Sequence, residues 1–145
     1  MDSQLLNKMK TIIIDGKGLI LGRIGSYAAK ELLKGNTIFI INSEDVIISG
    51  KKELIVERIK EKRRMGSGGS LKGPKIIRQS DRLLKRMIRG MLPWDRTKGR
   101  EAYKRLRCYV KNGEFNEEQL KNVKKFEHKK PLKYTTIKEV SRLLK

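Results

Sequence analysis

Thr11-Ile12-Ile13-Ile14-Asp15, then Leu21 to Lys34, then Thr37-Ile38-Phe39-Ile40-Ile41 are the runs whose reading decides the fold. The first is β-branched and is followed by Gly16, Lys17 and Gly18, which predicts a short buried strand and a turn. From Leu21 the period changes. Leu21, Ile24, Ala28 and Leu32 recur at helical spacing and predict one buried helix face, with Gly35 as its stop. The apolar run from Thr37 to Ile41 is continuous, which predicts a strand covered on both faces. Strand, helix and strand in this order predict a parallel α/β unit with a right-handed crossover. A turn at Asn42 to Asp45 and a short third strand at Val46 to Ile48 follow.

Ser49-Gly50 opens a different regime. Lys51 to Met65 reads as a helix carrying Leu54, Ile55, Val56 and Ile59 and ending in the basic cluster Lys62-Arg63-Arg64. Gly66 to Lys75 is rich in glycine, serine and lysine, cannot build a core, and reads as a loop. Ser80 to Met91 is strongly amphipathic. Leu83, Leu84, Met87, Ile88 and Met91 fall on one side, and Arg82, Lys85, Arg86 and Arg89 on the other. Ser80 suits the N-cap, and Pro93 cannot continue the helix. Thr97 to Leu106 predicts a further helix with Ala102, Tyr103 and Leu106 inward, and Arg107 to Val110 a last strand. Lys111 to Lys130 is polar, with helical character from Glu117 to Val123. Thr136 and Glu139 have capping-box spacing, opening a C-terminal helix with Ile137, Val140, Leu143 and Leu144.

Charge separates a scaffold from a contact surface. The 145 residues carry 36 Lys and Arg against 16 Asp and Glu, a net charge of +20. Residues 1–50 hold 6 basic and 5 acidic side chains, residues 51–110 hold 20 and 6, and residues 111–145 hold 10 and 5. Like charge at this density opposes the compact state, and a polyanionic partner removes the penalty. Nucleic acid fits first and an anionic membrane surface second. No apolar run is long enough to span a bilayer, and Met1 to Lys10 lacks the apolar centre of a signal peptide. A single cysteine excludes an internal disulfide and fits a cytosolic setting.

Catalytic and cofactor chemistry finds little support. Gly16, Gly18 and Gly22 are not spaced as G-x-G-x-x-G, and a tight strand–helix turn explains them. The loop at Gly66 to Gly73 lacks the P-loop lysine pattern; it suits backbone packed against phosphate, with Lys72 and Lys75 supplying charge. His128, the only histidine, sits among lysines, and no acid–nucleophile arrangement near it supports general-base work. Cys108 reads as a buried structural thiol, and one Cys with one His leaves no Cys/His zinc site. Trp94 fits two roles equally: stacking on an unpaired base, or covering the end of the preceding helix. Arginines segregated on one helical face, with more at 96, 100, 105 and 107, favour phosphate recognition over a merely solvated face.

Several motifs in order carry a family resemblance. Ile88-Arg89-Gly90-Met91-Leu92-Pro93, Gly99-Arg100 and Leu106-Arg107-Cys108-Tyr109 resemble the motifs of the universal large-subunit ribosomal protein thirteen family. Ile14 to Arg23 is similar to that family's opening strand and turn, and Asn42-Ser43-Glu44 and Ile48-Ser49-Gly50 to its next segment. Gly73-Pro74 before the basic helix is more like the archaeal and eukaryotic branch than the bacterial one. The resemblance covers roughly residues 11–110. Lys111 departs from it, standing where that family carries glycine.

The resemblance implies a three-layer α/β/α fold around a mostly parallel four-stranded sheet. A basic loop–helix extension and a C-terminal helix would be added to it. Expected is one domain over 1–145, with its core mainly in 11–50 and 80–110, a basic RNA-facing region at 51–110 and a C-terminal segment at 111–145. The resemblance also implies large-subunit rRNA and neighbouring large-subunit proteins as partners, a cytoplasmic ribosome as location, and a structural and assembly role. No catalysis, cofactor, metal, membrane or small-molecule substrate is expected. The expected rRNA contacts are Arg23; Lys62, Arg63, Arg64, Lys72, Lys75 and Arg78 around the loop; Arg82, Lys85, Arg86 and Arg89 on the helix; and Arg96, Lys98, Arg100, Lys104, Arg105 and Arg107 after it. A non-ribosomal DNA- or RNA-binding architectural protein and an RNA-processing enzyme are the alternatives.

Overall fold

The computed structural model describes residues 9–66, 69 and 73–144. β1 (Thr11–Asp15) leads through a turn into α1 (Leu21–Leu33), and the chain returns as β2 (Thr37–Ile41), parallel to β1 with Thr11 opposite Thr37 and Asp15 opposite Ile41. The expected strand–helix–strand unit is therefore present. Ile24, Ala28 and Leu32 are buried, while Leu21 is only partly so. Gly35 takes a φ of +100°, the left-handed stop that glycine accepts without strain. Asn42 follows at φ 53°, also left-handed, and its amide donates to Asp15 Oδ1 at 2.9 Å. A short 3-10 turn at Ser43–Asp45 then leads to β3 (Ile47–Ser49).

α2 (Lys52–Arg64) and α3 (Ser80–Arg89) flank the glycine-rich segment, where the expected loop lies partly outside the described residues, and α4 (Thr97–Lys104) leads into β4 (Leu106–Cys108). Ser80 is the first helical residue of α3 and is buried; Gln79 occupies the N-cap without a side-chain hydrogen bond. The expected serine cap is thus corrected by one position: the core claims Ser80 before its hydroxyl can cap. α3 also ends earlier than expected. Gly90 is its C-cap, and the turns closed by the Met91 and Leu92 amides lie ahead of Pro93.

β4 pairs in parallel with β2, giving the order β1-β2-β4. Beyond it come α5 (Glu117–Lys121), β5 (Tyr134–Thr136) and α6 (Ile137–Leu143). β5 was absent from the sequence expectation, so β4 is not the last strand. It pairs antiparallel with β3, Ile47 opposite Thr136. Among the described residues the single four-stranded sheet is thus replaced by a three-stranded parallel sheet and a two-stranded antiparallel pair. Two one-residue bridges extend them: Lys124 lies parallel to Ile14 at the β1 edge, and Ile20 pairs with Ile47.

The main core draws Ile14, Ile38, Ile40 and Leu106 from the sheet, Ile24, Ala28 and Leu32 from α1, and Leu83, Leu84 and Ile88 from α3. Val56 and Ile59 of α2 and Ile137, Val140 and Leu144 at the C-terminus belong to the same cluster. Fully burying one such aliphatic side chain contributes about 2 kcal/mol, so the C-terminal segment is an integral part of the core. On the opposite face of the sheet Phe39 meets Phe115 edge-on at 5.3 Å, and Phe115 meets Tyr109 at 5.5 Å. Both faces of β2 are therefore covered.

Candidate nucleic-acid interface

The α3 side chains divide as the sequence predicts except at the methionines: Met87 is only partly buried, and Met91 lies past the helix end and is exposed. Leu83, Leu84 and Ile88 are buried, Arg82 is exposed, and Lys85, Arg86 and Arg89 are half-buried. Two of the half-buried cations, Lys85 and Arg89, rest on rings. The Arg89 guanidinium lies 3.8 Å from the centroid of Trp94, Trp94 meets Tyr103 of α4 edge-on at 5.2 Å, and the Lys85 ammonium sits 4.7 Å from Tyr103. The seam between α3 and α4 thus holds two touching rings with a cation on each. Burial pulls the Lys85 ammonium below its ordinary range and pushes the Tyr103 phenol above its own. Arg89, the last residue of α3, occupies one face of Trp94, so the indole covers the helix end.

The turn after α3 is fixed by close approach. Gly99 of α4 packs directly on the Pro93 backbone, where a Cβ would lie 2.5 Å from the carbonyl carbon. Arg100 donates from Nε to the Trp94 carbonyl at 2.9 Å. Arg96, Lys98, Arg100 and Lys104 are exposed around this turn. Arg105 behaves differently: its Nη2 donates to the Leu32 carbonyl at 2.7 Å, at the end of α1, and its Nε is buried without a partner among the described residues. The sequence groups it with the surface; the structure uses it to close a helix. Arg107 is exposed on β4, in register with Phe39.

The clusters around the loop are backed by α6. Arg63 donates to the Leu144 carbonyl, and Ser141 donates to the Arg78 carbonyl at 2.7 Å. The end of α2 and the segment before α3 are thereby tied to one helix, which also packs on α3. Lys62, Lys75 and Arg78 are exposed, and Arg64 pairs with Glu57 at 3.5 Å. Lys72 lies outside the described residues. Arg23 stands apart, exposed on α1 one turn before Tyr27.

Some cation–ring contacts escaped the sequence reading. Lys124 donates to the Tyr27 hydroxyl at 2.6 Å and lies 4.3 Å from that ring's centroid, and Lys130 lies 5.9 Å from Tyr134. Lysines alternating with Phe126 and Tyr134 were the available signal. Burial pushes the Cys108 thiol up to about 12, which suits a structural thiol and not a nucleophile. Among the described residues no three His, Cys, Asp or Glu side chains gather as a metal site, and no helix is long and apolar enough to cross a membrane.

Comparison with known proteins agrees with the motif resemblance. A family model described as Ribosomal protein L13 matches residues 9–114. The large ribosomal subunit protein uL13 of Archaeoglobus fulgidus is 44% identical over 138 residues, covering 91% of this chain and 86% of that protein. Its counterpart in Methanocaldococcus jannaschii is 41% identical over 135 residues, covering 91% and 96%. That of Picrophilus torridus is 40% identical over 136 residues, covering 92% and 96%. The family match spans most of the chain and the relatives align over nearly all of it: the chain belongs to the ribosomal protein L13 family.

Proposed function

We propose that the chain is a non-catalytic structural component of the large ribosomal subunit, binds large-subunit rRNA and supports subunit assembly. The observation that carries this reading is the α3–α4 seam, where Lys85 and Arg89 are held on the rings of Tyr103 and Trp94 in the most basic part of the chain. Arg82, Lys85, Arg86 and Arg89, with Arg96, Lys98, Arg100 and Lys104 beyond the turn, meet phosphates. The clusters at 62–64 and 75–78 extend that surface, with Lys72, Arg23 and Arg107 as outlying contacts. Recognition is of backbone and shape, because the deep groove of A-form RNA hides base edges. Counterion release drives it.

Family membership and the similarity to large-subunit proteins support the same reading. Neighbouring large-subunit proteins are the further partners, and a cytoplasmic ribosome the location. The chain acts as one domain, since one core includes residues from Ile14 to Leu144. We read the segment after β4, which lays Phe115 on the sheet, as the third layer of an α/β/α arrangement.

The test replaces Arg82 and Arg86 together with Ala and leaves Arg89 on Trp94. Far-UV circular dichroism should be unchanged. The slope of log affinity against log salt for a large-subunit rRNA fragment should fall by roughly 1.4–1.8, from two lost phosphate contacts. An unchanged affinity and slope would sink the role of α3. Equal affinity for any duplex DNA would favour an architectural DNA-binding protein instead.

A further inference from the structure

The segment 124–134 holds five lysines and one acid, interleaved with Phe126, His128, Leu132 and Tyr134. It lies beyond the residues that the family model matches. It has almost no regular structure, yet both ends are fixed. The Lys124 amide donates to the Ile13 carbonyl at 2.8 Å, and the Gly50 amide donates to the Lys133 carbonyl at 2.9 Å. The strap therefore runs from the edge of the parallel sheet to the antiparallel pair.

Its side chains are arranged rather than merely solvated. Phe126 meets Tyr27 edge-on at 4.9 Å, and Lys124 lies over both rings. His128 follows at 6.0 Å from Phe126, and Lys130 sits over Tyr134. Ring contacts restrict these lysines before any ligand arrives, so less side-chain entropy is lost on binding. No strap lysine is within ion-pair distance of a carboxylate among the described residues; the ion pairs there are Lys34–Glu31 and Arg64–Glu57. Where the strap meets α2 there is an open hollow of about 500 Å³, lined by Lys51, Lys52, Lys133, Leu132 and Tyr134, with Glu53 as its one acid. Leu132 is wholly exposed and Tyr134 is 44% exposed.

We propose that this strap is a second RNA contact, taking an unpaired stretch whose phosphates meet Lys130 and Lys133 and whose base lies on Leu132 and Tyr134. The inference rests on the rRNA-binding reading above and adds a site to it. Unpaired nucleotides combine a charged backbone with a flat apolar face, and the hollow offers partners for both. A hollow of this size is in the range that holds small ligands, on the order of 300–1,000 Å³. A membrane surface would ask for several large apolar side chains exposed together, whereas here Leu132 is exposed with only Tyr134 beside it and the rings at 126 and 128 are half-buried.

The full chain is tested against a single-stranded uridine dodecamer carrying 4-thiouridine at its centre. K130A/K133A should lower the salt slope by roughly 1.4, at about 0.7 per lost contact. L132S, at a wholly exposed side chain, should weaken binding about five-fold with the slope unchanged. Photocrosslinks should fall in peptides covering 124–134. An unchanged slope in K130A/K133A, wild-type affinity in L132S, or crosslinks confined to α3 and α4 would overturn the proposal. So would a K130A/K133A loss seen with phosphatidylserine vesicles and not with the oligonucleotide. R82A/R86A separates the two readings. If it alone weakens binding to rRNA, the strap proposal fails and the proposed function stands; if no variant weakens binding to either RNA, both fail.

Discussion

Replacing Gly99 with Ala should destabilise the protein although the site lies within a helix, where alanine is ordinarily favoured. Gly99 belongs to α4, and its Cα faces the Pro93 backbone. A methyl group there would overlap the Pro93 carbonyl oxygen and lie 2.5 Å from its carbon. Neither atom is the free end of a flexible side chain, so relief requires α4 to move by roughly 1 Å from the turn. Overpacking of this kind costs about 3 kcal/mol, and the helix preference for alanine returns about 1. The net loss of about 2 kcal/mol corresponds to a melting temperature lower by about 8 °C for a chain of this size. The control is Gly22→Ala in α1, where an added Cβ meets nothing within 4 Å. That variant should gain about 0.5–1 kcal/mol. Thermal melting followed by circular dichroism gives both values, and the emission of the only tryptophan, Trp94, reports whether the α3–α4 seam has opened. A Gly99→Ala protein that melts at or above wild type, with unshifted emission, would refute the close-approach argument.

Arg89→Ala should cost about 1 kcal/mol and shift Trp94 emission, because it uncovers the indole, whereas the exposed Arg82→Ala should stay within about 0.5 kcal/mol by urea unfolding. Thr136→Ala removes the hydroxyl that accepts the Glu139 amide at 3.3 Å and should cost about 1 kcal/mol on the same denaturation curve. Cys108 should resist iodoacetamide in the native chain at pH 8: with its thiol pushed up from 9.0 to about 12, roughly a thousandfold less thiolate is present than in the unfolded chain, and mass spectrometry should find the native thiol unmodified when the denatured one is complete. The sign for stability follows. The raised thiol contributes fully below pH 9, and the contribution is lost as pH rises towards 12, since the unfolded chain releases its proton first; a midpoint in urea that does not fall across that window would contradict the assignment.

The first α/β unit was legible because its period changes are clean: a five-residue β-branched strand, a thirteen-residue amphipathic helix, and a second five-residue strand. The α3 surface was legible for the same reason, with its core and basic residues separated by helical spacing. The antiparallel pair was not. β3 was expected as a short strand at Val46 to Ile48, but β5 is three residues long and far from it in sequence, so it leaves no periodicity that a window can register and the pairing stays hidden. Arg105 shows a different limit. Its charge marks it as a surface residue, and only the tertiary placement of the α1 end shows where the guanidinium goes. Asn116 was readable and missed: Asn with Gln119 three residues on is a capping box, present at the start of α5. At α6 the expected box is half formed, because the Glu139 carboxylate receives the buried Thr135 hydroxyl at 2.7 Å in addition to its amide capping on Thr136.

The pairing of β3 with β5 sets a timetable. A nascent chain emerges from its N-terminus, and β1, α1 and β2 can assemble as soon as they are out, since their contacts are nearly sequential. β3 emerges soon after but has no partner until roughly ninety further residues have been made, a wait of about 5–20 s at ordinary translation speeds. Through that interval the basic middle of the chain is already exposed, while Ile137, Val140 and Leu144, which complete the core behind α3, do not yet exist. The last strand and helix therefore act as a latch. The surface that carries most of the charge acquires its rigid backing only when synthesis has reached the final residues of the core.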